Sequence, residues 1–216
     1  MTSIYKKGSI EDCGNYRPIS LLCVAYKVLA AILLRRLQDA GAEDKLTSTQ
    51  FGFRRGQGTI DAKCMVRRKM EYAWATKHGS MSFLALDLKM AFDYIDPAAL
   101  IRGLRRFGLP GQYLELVRNI YAGRSFRVRD GDSCSEEHHQ FAGISQGCPL
   151  SPFLFVMLMT ILMHDASLEL PHEDQELLQK GCLASMLYAD DTLLMGVSPD
   201  SLQGFLKAIS KIMVKE

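Results

Sequence analysis

The sequence lacks the paired cysteines that build disulfide frameworks or zinc sites. Its six cysteines include no Cys-x-x-Cys pair and have no histidine neighbour at ligand spacing, which argues against both kinds of site. The N-terminus shows no charged start followed by an apolar stretch and a small-residue cleavage site, so we expect a non-secreted protein in a reducing intracellular setting, nuclear or cytoplasmic. No 18-residue apolar run predicts a membrane span, and we expect no membrane partner.

An excess of charge of one sign is also missing. The net charge is only +2, so a polyanionic partner would have to be held by local basic patches. We find no internal repeat, low-complexity tract or flexible linker. A chain of 216 residues with 48% hydrophobic content is sufficient for one domain, or two joined subdomains, with a buried core. The histidines are scattered and offer no general base near the acidic residues described next; they are His78, His138, His139, His164 and His172.

The most informative stretch is Leu187–Met195, in which Asp190 and Asp191 lie between two apolar runs. The strand-favouring residues on either side predict two short buried strands joined by a tight turn that carries the acids. Two carboxylates in an apolar segment are costly unless a cation neutralises them, and a divalent metal ion does this best. An ordinary hairpin turn that happens to contain Asp-Asp is the competing interpretation.

A third acid, Asp87, follows a second apolar run and is predicted to lie at the end of a buried strand. Although Asp87 and Asp190 are far apart in sequence, neighbouring antiparallel strands would bring them together. Three carboxylates at one point repel each other unless about two divalent cations share the site, which suits in-line phosphoryl transfer. Asp93 and Asp96 are expected to be more exposed, with Asp96 as the N-cap of a helix that begins at Pro97.

Two glycine-containing loops are candidate ligand contacts. In residues 50–61, glycines and arginines precede a helix predicted from Thr59 to about Lys77, an arrangement that can bind a phosphate. That helix carries Lys63 and Arg67 on a basic face that suits a nucleic-acid backbone, although such faces are usually only solvated. The second loop, residues 142–152, either places its backbone against a base or sugar or is a plain turn before a core helix.

The remaining periodicity predicts elements that frame these loops. We expect an amphipathic helix over Ser20–Ala40 and further helices over Pro97–Phe107, Pro110–Tyr121 and Ser151 to about His164. A hairpin is expected in Arg124–Gln140, with its turn at Asp130-Gly131. Residues 165–181 are predicted to be an exposed excursion, and a last helix, capped by Ser198-Pro199-Asp200, is predicted to run to the end of the chain.

Five blocks in order make the chain similar to the reverse transcriptases of non-LTR (LINE-type) retrotransposons, and more distantly to group II intron enzymes. The resemblance covers essentially the whole chain, and its blocks are Asn15–Leu22, Gln50–Arg54 with Gly56, Leu86–Asp87 through Ala91–Asp93, Gly143 with Gln146–Pro152, and Tyr188–Asp191. Tyr-Ala-Asp-Asp alone would be modest support, whereas five blocks at the right spacing are specific.

The resemblance implies an α+β fold, a right-hand polymerase with fingers and palm in which an antiparallel palm sheet packs on helices. It implies one reverse transcriptase domain, with residues 1–82 fingers-like, residues 83–216 palm-like, and residues 99–139 able to contribute to the fingers. The family pattern continues past Glu216 with a thumb, so we expect the thumb to be absent and the chain to be a fragment. The resemblance leaves the oligomeric state open.

The implied activity is RNA-directed DNA synthesis, in which dNTPs are added to the 3′-hydroxyl of a DNA primer along an RNA template. The resemblance assigns two Mg²⁺ ions, replaceable by Mn²⁺, to Asp87 and Asp190, with Asp191 supporting and the carbonyl of Leu88 reaching the ion on the triphosphate side. The alternative is a catalytically inactive RNA-binding remnant of a retroelement.

The other family positions are predicted to bind substrates. Phe92 matches an aromatic steric gate that excludes a ribose 2′-hydroxyl and so favours dNTPs. The remaining positions are Arg17 and Arg54 for the triphosphate, Gln146 and Gly147 along the templating pair, and Lys63, Arg67 and Tyr188 for nucleic acid.

Overall fold

The computed structural model describes residues 1–76 and 79–215. Lys77, where the second predicted helix was expected to end, His78 and the terminal Glu216 lie outside the described residues. The helices are α1 (Val24–Asp39), α2 (Thr59–Ala75), α3 (Pro97–Phe107), α4 (Gly111–Tyr121), α5 (Ser151–Leu168), α6 (His172–Gln179) and α7 (Pro199–Lys215). The strands are β1 (Thr2–Tyr5), β2 (Tyr16–Ile19), β3 (Ser82–Leu86), β4 (Ser125–Phe126), β5 (Arg129–Asp130), β6 (Ser133–Cys134), β7 (His138–His139), β8 (Leu183–Tyr188) and β9 (Asp191–Gly196).

The chain divides into two compact units. The first comprises Met1–Ala42 and Met90–Leu154, and the second comprises Glu43–Lys89 and Phe155–Glu216. Each unit contains both helices and strands, which confirms the α+β class. The boundaries assigned to fingers and palm stay predictions.

The second unit is built on a three-stranded antiparallel sheet in the order β3-β9-β8. Helix α7 packs against β9 and β3, whereas α2 and α6 pack against β8. The apolar side chains of Leu183, Leu187, Leu194 and Phe205 are almost completely buried. Burial of each such side chain stabilises the unit by about 1.5–3 kcal/mol relative to exposure. The centre of this sheet is therefore strongly stabilised by apolar packing.

The first unit contains a four-stranded sheet in the order β2-β1-β5-β6 and a separate pair formed by β4 and β7. Strands β1 and β2 were not predicted, because residues 1–19 are polar and lack the apolar alternation of a half-buried strand. The hairpin expected near Asp130-Gly131 is present, but Asp130 pairs with Ser133. The turn is therefore Gly131-Asp132, one residue later than predicted, and Gly131 has the positive φ of 55° that this position uses.

Helix α1 begins at Val24 rather than Ser20. Residues 16–19 form β2, and the Ser20 N–H donates to the Gln146 carbonyl at 2.8 Å, which keeps this segment extended. Only some of the apolar residues of this helix lie on its buried side. Its buried residues are Ala30, Leu33 and Leu37, whereas the exposed apolar residues are Val24, Val28, Leu29 and Ile32. The helix is apolar on two sides, and periodicity alone does not say which side packs within the unit.

Helix α5 is one turn longer than predicted and ends at Leu168. By length and composition it is apolar enough to cross a membrane, contrary to the expectation that no 18-residue run would be, but half of it is buried within the protein. Its buried side chains include Phe153, Leu154 and Met157, as expected of a core helix. The excursion after it contains the unpredicted α6, a helix with no buried residue.

Helix α3 begins with the N-cap that the sequence predicts. Asp96 is its N-cap and accepts a hydrogen bond from the Ala99 N–H at 2.9 Å, with Pro97 in the first turn, as predicted. We expect Asp96→Ala to lower the free energy of unfolding by about 1 kcal/mol, because one N-terminal donor loses its acceptor. Urea denaturation measures this change. Asp96→Asn, which keeps an acceptor, is the matched control, and equal losses in both variants would contradict the capping role.

Candidate active site

The second unit has the tight hairpin that the sequence predicts, with Asp190 in the turn and Asp191 as the first residue of the strand that follows. Tyr188 at the end of β8 pairs with Asp191 at the start of β9, so the connection is only Ala189-Asp190. Ala189 has a φ of 60°, which a side chain bearing Cβ adopts only at some cost in conformational energy. The turn is therefore a conformation that its surroundings must hold in place.

Strand β3 brings Asp87 to the same end of the sheet. Antiparallel pairing with β9 sets Leu86 opposite Thr192, and Asp87 is the next residue after this pair. Strand β9 pairs with both β3 and β8. It therefore brings Asp87, which follows β3, and Asp190, which lies in the turn after β8, to the same end of the sheet. The convergence expected from the sequence is what the register shows.

The electrostatics of Asp191 agree with this convergence. Partial burial raises the pKa of the Asp191 carboxyl, and the negative charges of Asp190 and then Asp87 raise it further. A like charge near a carboxylate disfavours its ionised form, and a nearby cation reverses that effect. The charges of Asp190 and Asp87 therefore both act on the Asp191 carboxyl at the end of the sheet.

The acids are more accessible than the sequence suggested. Asp87 and Asp191 are exposed and Asp190 is half-buried. The prediction that Asp87 ends a buried strand was wrong in one respect, because β3 is an edge strand with no buried residue. The cost of desolvating these charges is correspondingly smaller than the sequence argument assumed, and the group lies at an open rim.

The chemistry of these side chains fits a divalent cation, because carboxylate oxygens are the preferred ligands of hard ions such as Mg²⁺. Their mutual repulsion, seen at Asp191, is the feature that a cation would relieve. Within residues 1–76 and 79–215, however, no three His, Cys, Asp or Glu side chains are gathered closely enough to form a ready metal site. The donors are therefore suitable and neighbouring but not assembled into a cage.

The loop predicted to contact an anion also contacts the acid-bearing hairpin through its first residues, and its anion contact stays a prediction. Its backbone runs parallel to β8, with the Phe51 N–H donating to the Leu187 carbonyl at 2.8 Å and the Leu187 N–H donating to the Thr49 carbonyl at 2.9 Å. The sequence reasoning missed Gln50, which is 1% exposed and also bonds to this hairpin. The half-buried Arg54 donates to the Thr47 carbonyl at 3.3 Å within the same loop.

On the basic face of α2, one of the two residues predicted to contact nucleic acid is already paired within the helix. Lys63 is exposed, whereas Arg67 donates to Glu71 at 2.8 Å, an i,i+4 pair on the same helix. Tyr188 is partly exposed at the end of β8. These placements leave the nucleic-acid role of Lys63, Arg67 and Tyr188 a prediction.

In the first unit, the loop with Gln146 and Gly147 rests on the segment with Phe92. The Ile144 N–H donates to the Phe92 carbonyl at 2.7 Å, and the Gln146 amide donates to both oxygens of Asp93 at 2.9 and 3.1 Å. A Cβ on Gly147 would lie 2.8 Å from the Ser20 carbonyl oxygen, so only glycine fits there. Arg17, on β2, is exposed and pairs with Ile4.

Asp93 corrects a further expectation. It is half-buried rather than exposed, and burial raises the pKa of its carboxyl, although the Gln146 hydrogen bond and the charge of Lys6 oppose that rise. Sequence position alone gave no sign of this, because its partner Gln146 is distant in the chain. Asp96 is exposed, as expected.

Arg124 is a second residue that the sequence reasoning missed. Its guanidinium donates to the Ser145 hydroxyl at 3.0 Å and the Gly143 carbonyl at 2.5 Å, and it lies 4.6 Å from the centre of the Tyr121 ring. It therefore fixes the loop that carries Gln146. No local sequence motif identifies such a residue, because its contacts form only once strands β4 and β7 have paired.

The chain is similar in sequence and in fold to known polymerases. A family model described as reverse transcriptase (RNA-dependent DNA polymerase) matches residues 4–216. A probable RNA-directed DNA polymerase from transposon X-element of Drosophila melanogaster is 33% identical over 193 residues, which are 88% of this chain and 20% of that protein. The Pol polyprotein of the type-2 retrotransposable element R2DM, from the same organism, is 31% identical over 193 residues, 89% of this chain and 17% of that protein.

Among solved structures, telomerase from Candida albicans in complex with a fragment of telomeric RNA superimposes with a TM-score of 0.56 and 13% identity. The match covers 85% of this chain and 32% of that one. At this identity the likeness concerns the fold alone, and it supports the fingers-and-palm polymerase architecture. The chain spans about a fifth of the length of the curated relatives described above.

The effect of the neighbouring acids on the pKa of Asp191 gives a direct prediction. Because Asp190 and Asp87 both raise the pKa of Asp191, with Asp190 the stronger influence, replacing either with Asn removes a like charge and lowers that pKa. We expect Asp190→Asn to lower it more than Asp87→Asn does. Carboxyl ¹³C NMR titration in metal-free buffer measures the shift, with the exposed Asp44→Asn as a control. An unchanged pKa in Asp87→Asn would show that Asp87 does not belong to the group.

Proposed function

Because this chain belongs to the reverse transcriptase (RNA-dependent DNA polymerase) family, we propose that it carries out the nucleotidyl-transfer step of RNA-directed DNA synthesis. The observation that carries the proposal is the convergence of Asp87 with the Asp190-Asp191 turn at one open end of the β3-β9-β8 sheet. In the reaction, the 3′-oxygen of a DNA primer forms a bond to the α-phosphorus of a dNTP. The bond from that phosphorus to pyrophosphate breaks.

Asp87 and Asp190 are the residues that would hold two divalent ions, with Asp191 supporting them and the Leu88 carbonyl reaching the ion on the triphosphate side. When bound, Mg²⁺ or Mn²⁺ lowers the pKa of the primer hydroxyl and neutralises the charge that develops on the leaving group. The exposure of Asp87 and Asp191 supports this assignment, because a primer end and a triphosphate must both reach the carboxylates.

The first unit supplies the candidate specificity residues. Phe92 would act as the steric gate that favours dNTPs over ribonucleotides, and Gln146 and Gly147 would lie along the templating base pair. The hydrogen bond from Ile144 to the Phe92 carbonyl and the bonds from Gln146 to Asp93 support a joint role, since they fix the gate and the loop to each other. Loss of one would then disturb the other.

The remaining assignments concern the polyanionic substrates. Arg17 and Arg54 would hold the triphosphate, and Lys63, Arg67 and Tyr188 would contact the RNA template or the DNA primer. Exposed Arg17 and Lys63 suit such contacts. Arg54 would first have to release the Thr47 carbonyl that it now binds, so its part in triphosphate binding would depend on a change of its side-chain conformation.

A non-catalytic RNA-binding role is the second candidate. It is favoured by the finding that, in the part of the chain that the structure describes, the acids are not gathered into a ready metal site. In that case the acid-bearing sheet would serve only to hold the fold together. The two functions differ in whether the carboxylates matter after nucleic acid has bound.

Primer extension on an RNA template, with Mg²⁺ and dNTPs, tests the proposal. We expect Asp87→Asn and Asp190→Asn each to reduce incorporation by about a hundredfold or more, because each removes a metal ligand. Binding of the primer–template, measured by fluorescence anisotropy, should be retained in both variants. Asp132→Asn, in an exposed turn of the first unit, is the matched control and should extend the primer normally.

Incorporation that survives in both Asp87→Asn and Asp190→Asn would rule out the polymerase role for these acids. Binding without incorporation by the unaltered chain, unaffected by either substitution, would favour the RNA-binding function.

A further inference from the structure

Gln50 is a buried polar residue without a role in the predicted site. It is 1% exposed, and its side-chain oxygen, Oε1, accepts two hydrogen bonds from backbone amides. One comes from the Gly52 N–H at 2.9 Å within its own loop, and the other comes from the Ala189 N–H at 3.1 Å in the hairpin turn. A single oxygen atom therefore joins the loop to the residue that precedes Asp190.

The backbone around this oxygen leaves almost no freedom. The loop pairs with Leu187 on both sides of Gln50. A Cβ on Gly52 would lie 2.4 Å from the Ala189 nitrogen, too close for any side chain, and 3.0 Å from the Tyr188 carbonyl carbon. The loop is thus pressed directly against the turn, and the Gln50 oxygen sits where the Ala189 N–H points.

The backbone conformation of the turn explains why it needs this contact. Ala189 adopts a positive φ of 60°, which costs conformational energy for any residue with a Cβ. Its N–H lies outside the paired residues of β8 and β9, and a buried N–H without an acceptor is destabilising. The bond to Gln50 satisfies this donor only while the turn keeps its present conformation.

We propose that Gln50 is a positioning residue, which locks the Ala189-Asp190 turn so that the Asp190 carboxylate stays beside Asp87. The catalytic consequence rests on the proposed function. Because Gln50 is 1% exposed, it would act through the backbone of Ala189 and not by direct contact with substrate or metal. Residues 49–52, which include the start of the loop predicted to bind an anion (residues 50–61), accordingly brace the acid-bearing turn.

Simple packing is the competing explanation for Gln50, and one atom argues against it. The side-chain nitrogen, Nε2, is buried and has no hydrogen-bond partner among the described residues. A residue that only filled this space would be better replaced by Met, which has similar length and carries no donor to desolvate. The cost of burying Nε2 is offset only if Oε1 performs a task that an apolar side chain does not.

Hydrogen exchange at the Ala189 amide tests the proposal first in the unaltered chain. Because Gln50 is its acceptor, this amide should be protected in the native state, although it belongs to no strand pair. An unprotected Ala189 amide in the unaltered protein would overturn the proposal without any variant. This measurement keeps the proposal testable even if substitutions at Gln50 prevent folding.

Variants then separate positioning from packing. Gln50→Met keeps the volume but removes the acceptor, and we expect protection of the Ala189 amide to fall by about tenfold or more, while protection of the Leu194 amide at the centre of the sheet is unchanged. Gln50→Glu keeps an oxygen at the same position. Because burial disfavours the charged form of the new carboxyl, we expect it to be neutral and to retain protection at Ala189. Gln57→Met, an exposed position in the same loop, is the matched control and should change neither amide.

The consequence for the acids is measured with Mn²⁺ alone, by electron paramagnetic resonance. We expect Gln50→Met to weaken Mn²⁺ binding about fivefold or more, and in primer extension to lower kcat with little change in the KM for dNTP. A folded Gln50→Met with unchanged Ala189 protection, or with reduced protection but unchanged Mn²⁺ affinity, would overturn the proposal. Absence of incorporation in the unaltered chain, with the exchange and Mn²⁺ results as expected, would instead count against the proposed function.

Discussion

Strand β9 pairs with a neighbour on each side, and the position of every candidate catalytic acid follows from those two registers. Pairing with β8 closes the turn at Asp191, and pairing with β3 sets Leu86 opposite Thr192. A slip of one residue in either register would turn the side chains to the opposite face of the sheet. The buried side chains of Leu194 and Met195 on β9 resist such a slip, so packing in the middle of the sheet sets the chemistry at its end.

Two glycine-containing loops act as braces inside their own units. Gly52 lies against the Ala189 backbone in the second unit, and Gly147 lies against the Ser20 carbonyl in the first. In both cases the absence of a side chain allows one backbone to touch another. The features that suggested ligand contact in the sequence are thus explained, in part, by contact within the protein. Gln146 and Gly147 remain predicted substrate contacts, held in place by this packing.

The sequence was sufficient to predict features whose cause is local. The N-cap at Asp96, the acid-bearing hairpin and the strand before Asp87 all follow from neighbouring residues, and the structure has them. Features that depend on distant partners were missed or wrong, because a single sequence does not show which surfaces meet. The buried side of α1, the hydrogen bonds from Gln146 to Asp93 and the hydrogen bond that Gln50 accepts from Ala189 are of this kind.

We propose that Asp87 and Asp190 belong to one metal site, although the described residues hold no assembled set of ligands. A crystal structure of the chain soaked with Mn²⁺, with the ion located by its anomalous scattering, would show this. We expect an anomalous peak coordinated by the carboxylates of both Asp87 and Asp190. A structure in which those two carboxylates bind separate ions, or in which Mn²⁺ occupies only other sites, would contradict it.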